Sequence, residues 1–261
     1  MRIIKKLSVW IIIIAYLSLV TGFVASKHDG LLCNRLNVVI KDSTDAWFLS
    51  GKDIVRLLNK RGVKYLGIPL SKINLLDVEN VVSDNQIVKD CRAYVGDNGS
   101  LNIEIIQRQP LVRIIDASGF GYYIDKEGNI ETLSTHFSPD VLVVNGNIQT
   151  PFKIGKAVNI LNLGSSREAQ KLKDIFALSE FISDNKLWNS QIVQVYINHD
   201  DEFELVPRVG SQIILLGDMD DYIEKFEKLE IFYKEGLNNV GWNQYSKINL
   251  KYKDQIVCTK I

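Results

Sequence analysis

Side chains that could do chemistry are few and scattered in this sequence. There are three histidines, His28, His136 and His199, and three cysteines, Cys33, Cys91 and Cys258. A zinc site needs clustered thiolates or imidazoles, and the sequence holds no CxxC pair and no Cys/His cluster. His199 stands in Asn198-His199-Asp200-Asp201 between two predicted strands, where a hairpin turn accounts for the residue types better than a general base does. His136 sits in a predicted loop with no obvious partner, and His28 follows a long apolar run. The acidic clusters Asp200-Asp201-Glu202 and Asp218-Met219-Asp220-Asp221 match no EF-hand spacing. The second stands at a predicted helix start, where carboxylates favour the dipole. Gly119-Phe120-Gly121 is too short for a phosphate loop, and no GxSxG, HExxH or GxxxxGK[ST] run occurs. No catalytic residue, cofactor or metal ligand is therefore predicted. The odd cysteine count leaves at least one thiol unpaired, and one disulfide stays open if the domain lies outside the cytoplasm.

Lysine plus arginine equals aspartate plus glutamate, 31 against 31. That balance argues against a nucleic-acid partner, which calls for a basic excess. The compartment is set by the N-terminus. Residues 7–26, LSVWIIIIAYLSLVTGFVAS, carry no charge, and a helix of that length spans about 30 Å, the thickness of the hydrocarbon core. Arg2, Lys5 and Lys6 precede the run and a nearly balanced flank follows it. The positive-inside rule then predicts a cytoplasmic tail at 1–6, a transmembrane helix at 7–26 carrying Trp10, Ile12, Tyr16 and Leu19, and the remaining residues outside. A cleaved signal peptide is the competing reading, with Val24-Ala25-Ser26 as a loose cleavage site, although the run is long for one. A soluble helix is the third.

In the exported part, residues 37–41 have strand character, followed by a polar turn at 42–45. Ser50 and Asp53 fit a capping box opening a helix at 53–60, with Ile54, Leu57 and Leu58 on one face and Gly62 ending it. A second helix is predicted from 71 or 74 to about 82, with Ile73, Leu76 and Val81 as its apolar positions. Two strands follow, 87–95 and 101–108, joined by the hairpin signal Gly96-Asp97-Asn98-Gly99. Leu101, Ile103 and Ile105 alternate inward against Asn102 and Glu104. The order strand, helix, helix, strand, strand suits a three-stranded sheet with two helices on one face. Pro110 marks a boundary. Beyond it the chain is strand-rich: strands at 111–115, 122–125 and 141–144, a helix at 167–182, strands at 192–197, 202–207 and 211–216, a helix at 220–237, and strands at 247–251 and 255–259. Ile192, Gln194 and Tyr196 are expected on one face of their strand. The expected class is α+β: a transmembrane helix, a β-α-α-β-β domain over 34–109, and a mixed β-rich domain with two helices over 110–261.

Four segments resemble one family in order. The run Leu101-Asn-Ile-Glu-Ile-Ile-Gln-Arg108-Gln-Pro110 resembles the end of the POTRA domain in the bacterial cell-division family FtsQ/DivIB. Tyr122-Tyr-Ile-Asp125-Lys-Glu-Gly128-Asn resembles that family's aromatic strand and turn, and Val141-Leu-Val-Val-Asn-Gly146 its next strand. Ser211-Gln-Ile-Ile-Leu-Leu-Gly217 before an amphipathic helix, then Lys247-Ile-Asn-Leu-Lys-Tyr252, is similar to its closing segment. Asn249 and Lys251 depart from the usual Asp and Arg. The resemblance covers nearly the whole chain.

It implies a non-enzymatic scaffold at the division site of the cytoplasmic membrane, linking early and late division proteins. FtsB- and FtsL-like bitopic proteins would dock at the C-terminal end, and other division proteins on the POTRA domain. The alternative is a POTRA-bearing module of envelope assembly or secretion, which would bring a barrel or tandem POTRA units. Strand addition at an open edge, either 255–259 or 248–252, is the expected docking mode. Trp242, Tyr245, Ile248, Leu250, Tyr252 and Ile256 are the candidate contacts. The aromatic three either anchor a partner or cover the core. Arg108 and Pro110 mark the domain junction.

Overall fold

The computed structural model describes residues 13–19, 31–41, 48–96, 98–133, 138–153 and 157–261. The tail 1–6, Trp10, Ile12, His28, the turn at 42–45, Asp97 and His136 lie outside the described residues. Residues 13–19 are helical, with Tyr16 and Leu19 exposed. Among the described residues, no helix is long and apolar enough to cross a membrane. The chain divides into two units between Gln107 and Arg108.

The first unit runs β1 (Arg35–Ile40), α1 (Gly51–Lys60), α2 (Leu75–Ser83), β2 (Val88–Gly96) and β3 (Ser100–Gln107). Its sheet has the order β1-β3-β2, with β3 parallel to β1 and antiparallel to β2. A capping box starts α1: the Ser50 side chain accepts from the Asp53 N–H, and the Asp53 carboxylate accepts from the Ser50 N–H at 3.0 Å. Two of the helix's orphan donors are thereby satisfied. Ile54 and Leu58 of α1 are fully buried, as are Leu101, Ile103 and Ile105 of β3.

Helix α2 differs from the expectation. Asn74 caps it, and it buries Val78 and Val82, leaving Leu76 64% exposed and Val81 half-buried. Val78 and Val82 lie one i,i+4 step apart and so share a face, whereas Leu76 is turned roughly 200° away from Val78 around the axis.

The second unit holds one nine-stranded sheet in the order β12-β11-β10-β9-β8-β7-β4-β5-β6. Its strands are β4 (Pro110–Ile115), β5 (Gly121–Asp125), β6 (Ile130–Thr132), β7 (Leu142–Gly146), β8 (Ile192–Ile197), β9 (Phe203–Pro207), β10 (Ile213–Gly217), β11 (Tyr245–Asn249) and β12 (Val257–Lys260). Helix α3 (Arg167–Asp184) and the short α4 (Lys186–Gln191) connect the parallel neighbours β7 and β8. Helix α5 (Tyr222–Ile231) leads from β10 to its parallel neighbour β11. Parallel neighbours need such crossovers. One continuous apolar core joins the sheet to these helices. Trp188 stacks edge-on against Phe226 and Tyr233, with ring centres 5.1 and 5.6 Å away.

Three features depart from the sequence reading. Strand β6 and helix α4 are additional, so the unit carries more than two helices. The helix expected at 220–237 is α-helical only to Ile231 and continues as a π-helical turn, Phe232–Leu237. In β8 a register shift between Ile192 and Gln194 breaks strict alternation. Ile192 turns inward with Val195 and Ile197, leaving Gln194 half-buried and Tyr196 exposed. A bulge of this kind resets which side chains face the core.

Candidate partner-binding edge

Of the two strands proposed as an open edge, β12 is the edge and β11 is enclosed. β11 pairs parallel with β10 on one side and antiparallel with β12 on the other. Among the described residues, no strand pairs with the outer side of β12. Its backbone is held on β11 through Val257, Cys258, Thr259 and Lys260, and the Ile261 N–H donates to the Gln244 carbonyl at 3.2 Å. Val257 is 42% exposed and Ile261 78%. An edge strand presents unpaired N–H and C=O groups to solvent and can template another strand, and β12 carries exposed Val257, Thr259 and Lys260.

The turn that leads into β12 is tied to α5. Lys228 Nζ donates to the carbonyls of Tyr252 at 2.7 Å and Lys253 at 2.8 Å. Lys251 pairs with Glu202 of the β9 arm, which holds the Glu202 carboxyl below its ordinary value and raises the Lys251 ammonium. Between α5, the π-helical turn and residues 254–256 lies a groove of about 450 Å³, lined by Ile231, Phe232 and Ile256 together with polar Lys228, Glu235, Asp254 and Gln255. Ile231 is 58% exposed. The groove is lined by the residues that lead into β12, and Ile231, Phe232 and Ile256 offer apolar surface in it.

The sequence-predicted contacts divide by depth. Ile248 and Leu250 are wholly buried in the core, and the Leu250 N–H donates to Leu215. Inward alternation from β11 explains both. Trp242 and Tyr245 are half-buried, packed edge-on or tilted against Tyr233 at 5.1 Å and Phe232 at 6.1 Å. Ile256 is half-buried in the groove, and Tyr252 is exposed. Ile231, Phe232, Val257 and Ile261 also belong to this surface and were not singled out. Burial also pushes the Cys258 thiol up.

At the other end of the sheet, Arg108 opens the second unit and binds Asp125 at 3.0 Å and Glu127 at 3.4 Å. Asp125 in turn accepts from the backbone of Glu127 and Asn129, shaping the β5–β6 turn. Pro110 is the first residue of β4, a position where the missing N–H is tolerated. Arg108 and Pro110 thus have structural work at the start of this unit.

A family described as FtsQ/DivIB, C-terminal related, matches residues 109–259, more than half of the chain. This chain belongs to the FtsQ/DivIB family. A POTRA-like domain matches residues 31–106, the β1-α1-α2-β2-β3 unit. No curated protein matches the chain as an individual relative.

Proposed function

We propose that this FtsQ/DivIB-family chain is a non-enzymatic scaffold of the cell-division complex. Residues 7–26 hold it in the bacterial cytoplasmic membrane, with the tail 1–6 in the cytoplasm and both folded units outside. It links early and late division proteins at the septum. The POTRA-like unit contacts other division proteins, and the β12 edge receives an extended segment of an FtsB- or FtsL-like bitopic protein. The observation that carries the reading is the open edge of β12, on a unit that matches the FtsQ/DivIB family and has a groove lined by the residues leading into that strand. Backbone pairing would supply affinity, and the groove at Phe232 and Ile256, with Tyr252 nearby, would supply selectivity.

The test is co-purification of FtsB- and FtsL-like proteins with the full chain from detergent-solubilised membranes. Edge lysines discourage strand addition, and β12 already carries one, Lys260; two more, Val257→Lys with Ile261→Lys, should lower recovery about tenfold or more while leaving the fold intact. Undiminished recovery by the folded variant would remove β12 from the interface. Loss of envelope integrity without a division block on depletion would instead favour an envelope-assembly module.

A further inference from the structure

The two ends of the POTRA-like unit are unlike. Strands β1 and β3 start together at one end, where Arg35 stands beside Ser100, and β2 finishes there at Gly96. The chain leaves from the other end, at Gln107. The incoming segment is stitched to the first end. The Cys33 N–H donates to the Ile68 carbonyl at 2.8 Å. The Gly67 and Leu70 N–H groups donate back to the carbonyls of Cys33 and Leu31, at 2.8 and 2.9 Å. These bonds place the turn at 66–72 beside the point of entry. Helix α2 starts from the same place, since the Ile73 N–H donates to the Leu70 carbonyl and Asn74 caps the helix. It ends at Ser83, beside the start of β2 at the far end of the sheet.

We infer that this entry end of the POTRA-like unit rests on the outer surface of the membrane, with anionic lipid headgroups as its partner. The inference rests on the proposed anchor at residues 7–26 and goes beyond it. Three leucines stand exposed at this end: Leu32 at 53%, Leu66 at 60% and Leu76 at 64%. Leu66 precedes Gly67, where an added Cβ would meet nothing within 4 Å, so this part of the turn is uncovered. A lone exposed leucine is ordinary, whereas several at one end of a small unit mark a contact surface. Arg35, Lys64 and Lys72 are exposed at the same end, and the described ion pairs of this unit join other residues. Asp77, in the first turn of α2, is the carboxylate set against them among the described residues. Leucines flanked by unpaired basic side chains suit a headgroup interface, which takes the apolar groups in and attracts the cations. Chain length makes the contact obligatory in reach. Five steps separate Ser26 from Leu31, which span no more than about 18 Å even when fully extended. The anchor thus holds these leucines close to the bilayer, at a high effective concentration.

The experiment uses the full chain in nanodiscs of phosphatidylcholine with about one-third phosphatidylglycerol, or of phosphatidylcholine alone. A benzophenone amino acid replaces Leu66, or Ser83 at the far end of α2, and mass spectrometry counts lipid adducts after irradiation. If the Leu66 chain fails to fold, the same label at Leu32 repeats the test. The expected result is an adduct yield at 66 about fivefold or more above that at 83. Lys64→Glu with Lys72→Glu should lower the ratio of docked to undocked chains about tenfold, and the phosphatidylcholine discs should lower it in the same direction. Equal yields at 66 and 83 in a chain retained by the disc would overturn the inference and leave the anchor standing. So would adducts at 66 that join a second protein chain in place of lipid, or a yield indifferent to both lipid charge and the glutamate variant. A chain that the discs do not retain would overturn the anchor and this contact together.

Discussion

Glu131 offers the sharpest physical test of the second unit. It sits on β6 with no exposed surface, and neither carboxylate oxygen has a hydrogen-bond partner among the described residues. Its row across the sheet runs through Tyr123 of β5 to Arg113 of β4, whose Nε is also buried and unpartnered. Burial raises its pKa from 4.5 to about 8; the nearby Asp125 adds to the rise and Arg108 opposes it. The group is therefore largely neutral in the folded protein at neutral pH and ionised in the unfolded chain. Below 4.5 both states hold the proton and the site contributes no pH dependence. From there to about 8 the unfolded state is favoured progressively, by about 1.4 kcal/mol per pH unit, so the full cost approaches roughly 5 kcal/mol. Above 8 both states are ionised and the loss levels off.

Glu131→Gln keeps the shape and cannot ionise. The variant should unfold at higher denaturant concentration than wild type at pH 8, by about 2 kcal/mol or more once the cost of a buried amide is subtracted. The advantage should shrink towards zero, or reverse, at pH 5. The assay is guanidinium unfolding of the full chain in detergent from pH 5 to 9, followed by intrinsic tryptophan fluorescence, to which buried Trp188 of this unit contributes. Parallel wild-type and variant profiles across that range would refute the assignment of a proton to Glu131.

Two further outcomes test the first unit and the edge. Ser50→Ala removes the cap of α1 and should cost about 1 kcal/mol in unfolding free energy, within the range for N-cap loss; no change would mean that Asp53 and the first turn carry the helix alone. Ile248→Ala, in the enclosed β11, should destabilise the second unit by about 2–5 kcal/mol, whereas Tyr252→Ala, at an exposed site, should shift stability by no more than about 0.5 kcal/mol. On the proposed function, only the second variant lowers partner recovery without lowering the melting temperature, and the reverse pattern would move the contact surface off this turn.

Much of the first unit was legible because local signals agree there. The Ser50–Asp53 capping box, the turn glycine Gly99 with positive φ, and the alternation of Leu101, Ile103 and Ile105 each have one physical meaning. Helix α2 was harder, because its valines and leucines satisfy more than one helical phase and only packing against the sheet selects Val78 and Val82. In the second unit, β6 has three residues, too few to show a period. The bulge in β8 is invisible to a rule of strict alternation. The candidate contacts were found as a segment but not sorted by depth, since Ile248 and Tyr252 differ in what stands beside them.

By itself the sequence determined the order of elements in the first unit, the apolar run at 7–26, and the motifs that resemble the FtsQ/DivIB family. These depend on neighbours along the chain, where propensity, capping and period act over a few residues. Only the tertiary structure decided that β12 is the open edge and β11 is enclosed, that Phe232 and Ile256 line a groove, that Glu131 is buried without a hydrogen-bond partner among the described residues, and that Glu79 accepts from the Ala93 N–H of β2. Those facts rest on pairings between residues far apart in sequence, such as Ile248 with Cys258 and Ile214, or Ala93 with Glu79. Strand order and burial are properties of the assembled sheet, and no local pattern encodes which strand ends up last.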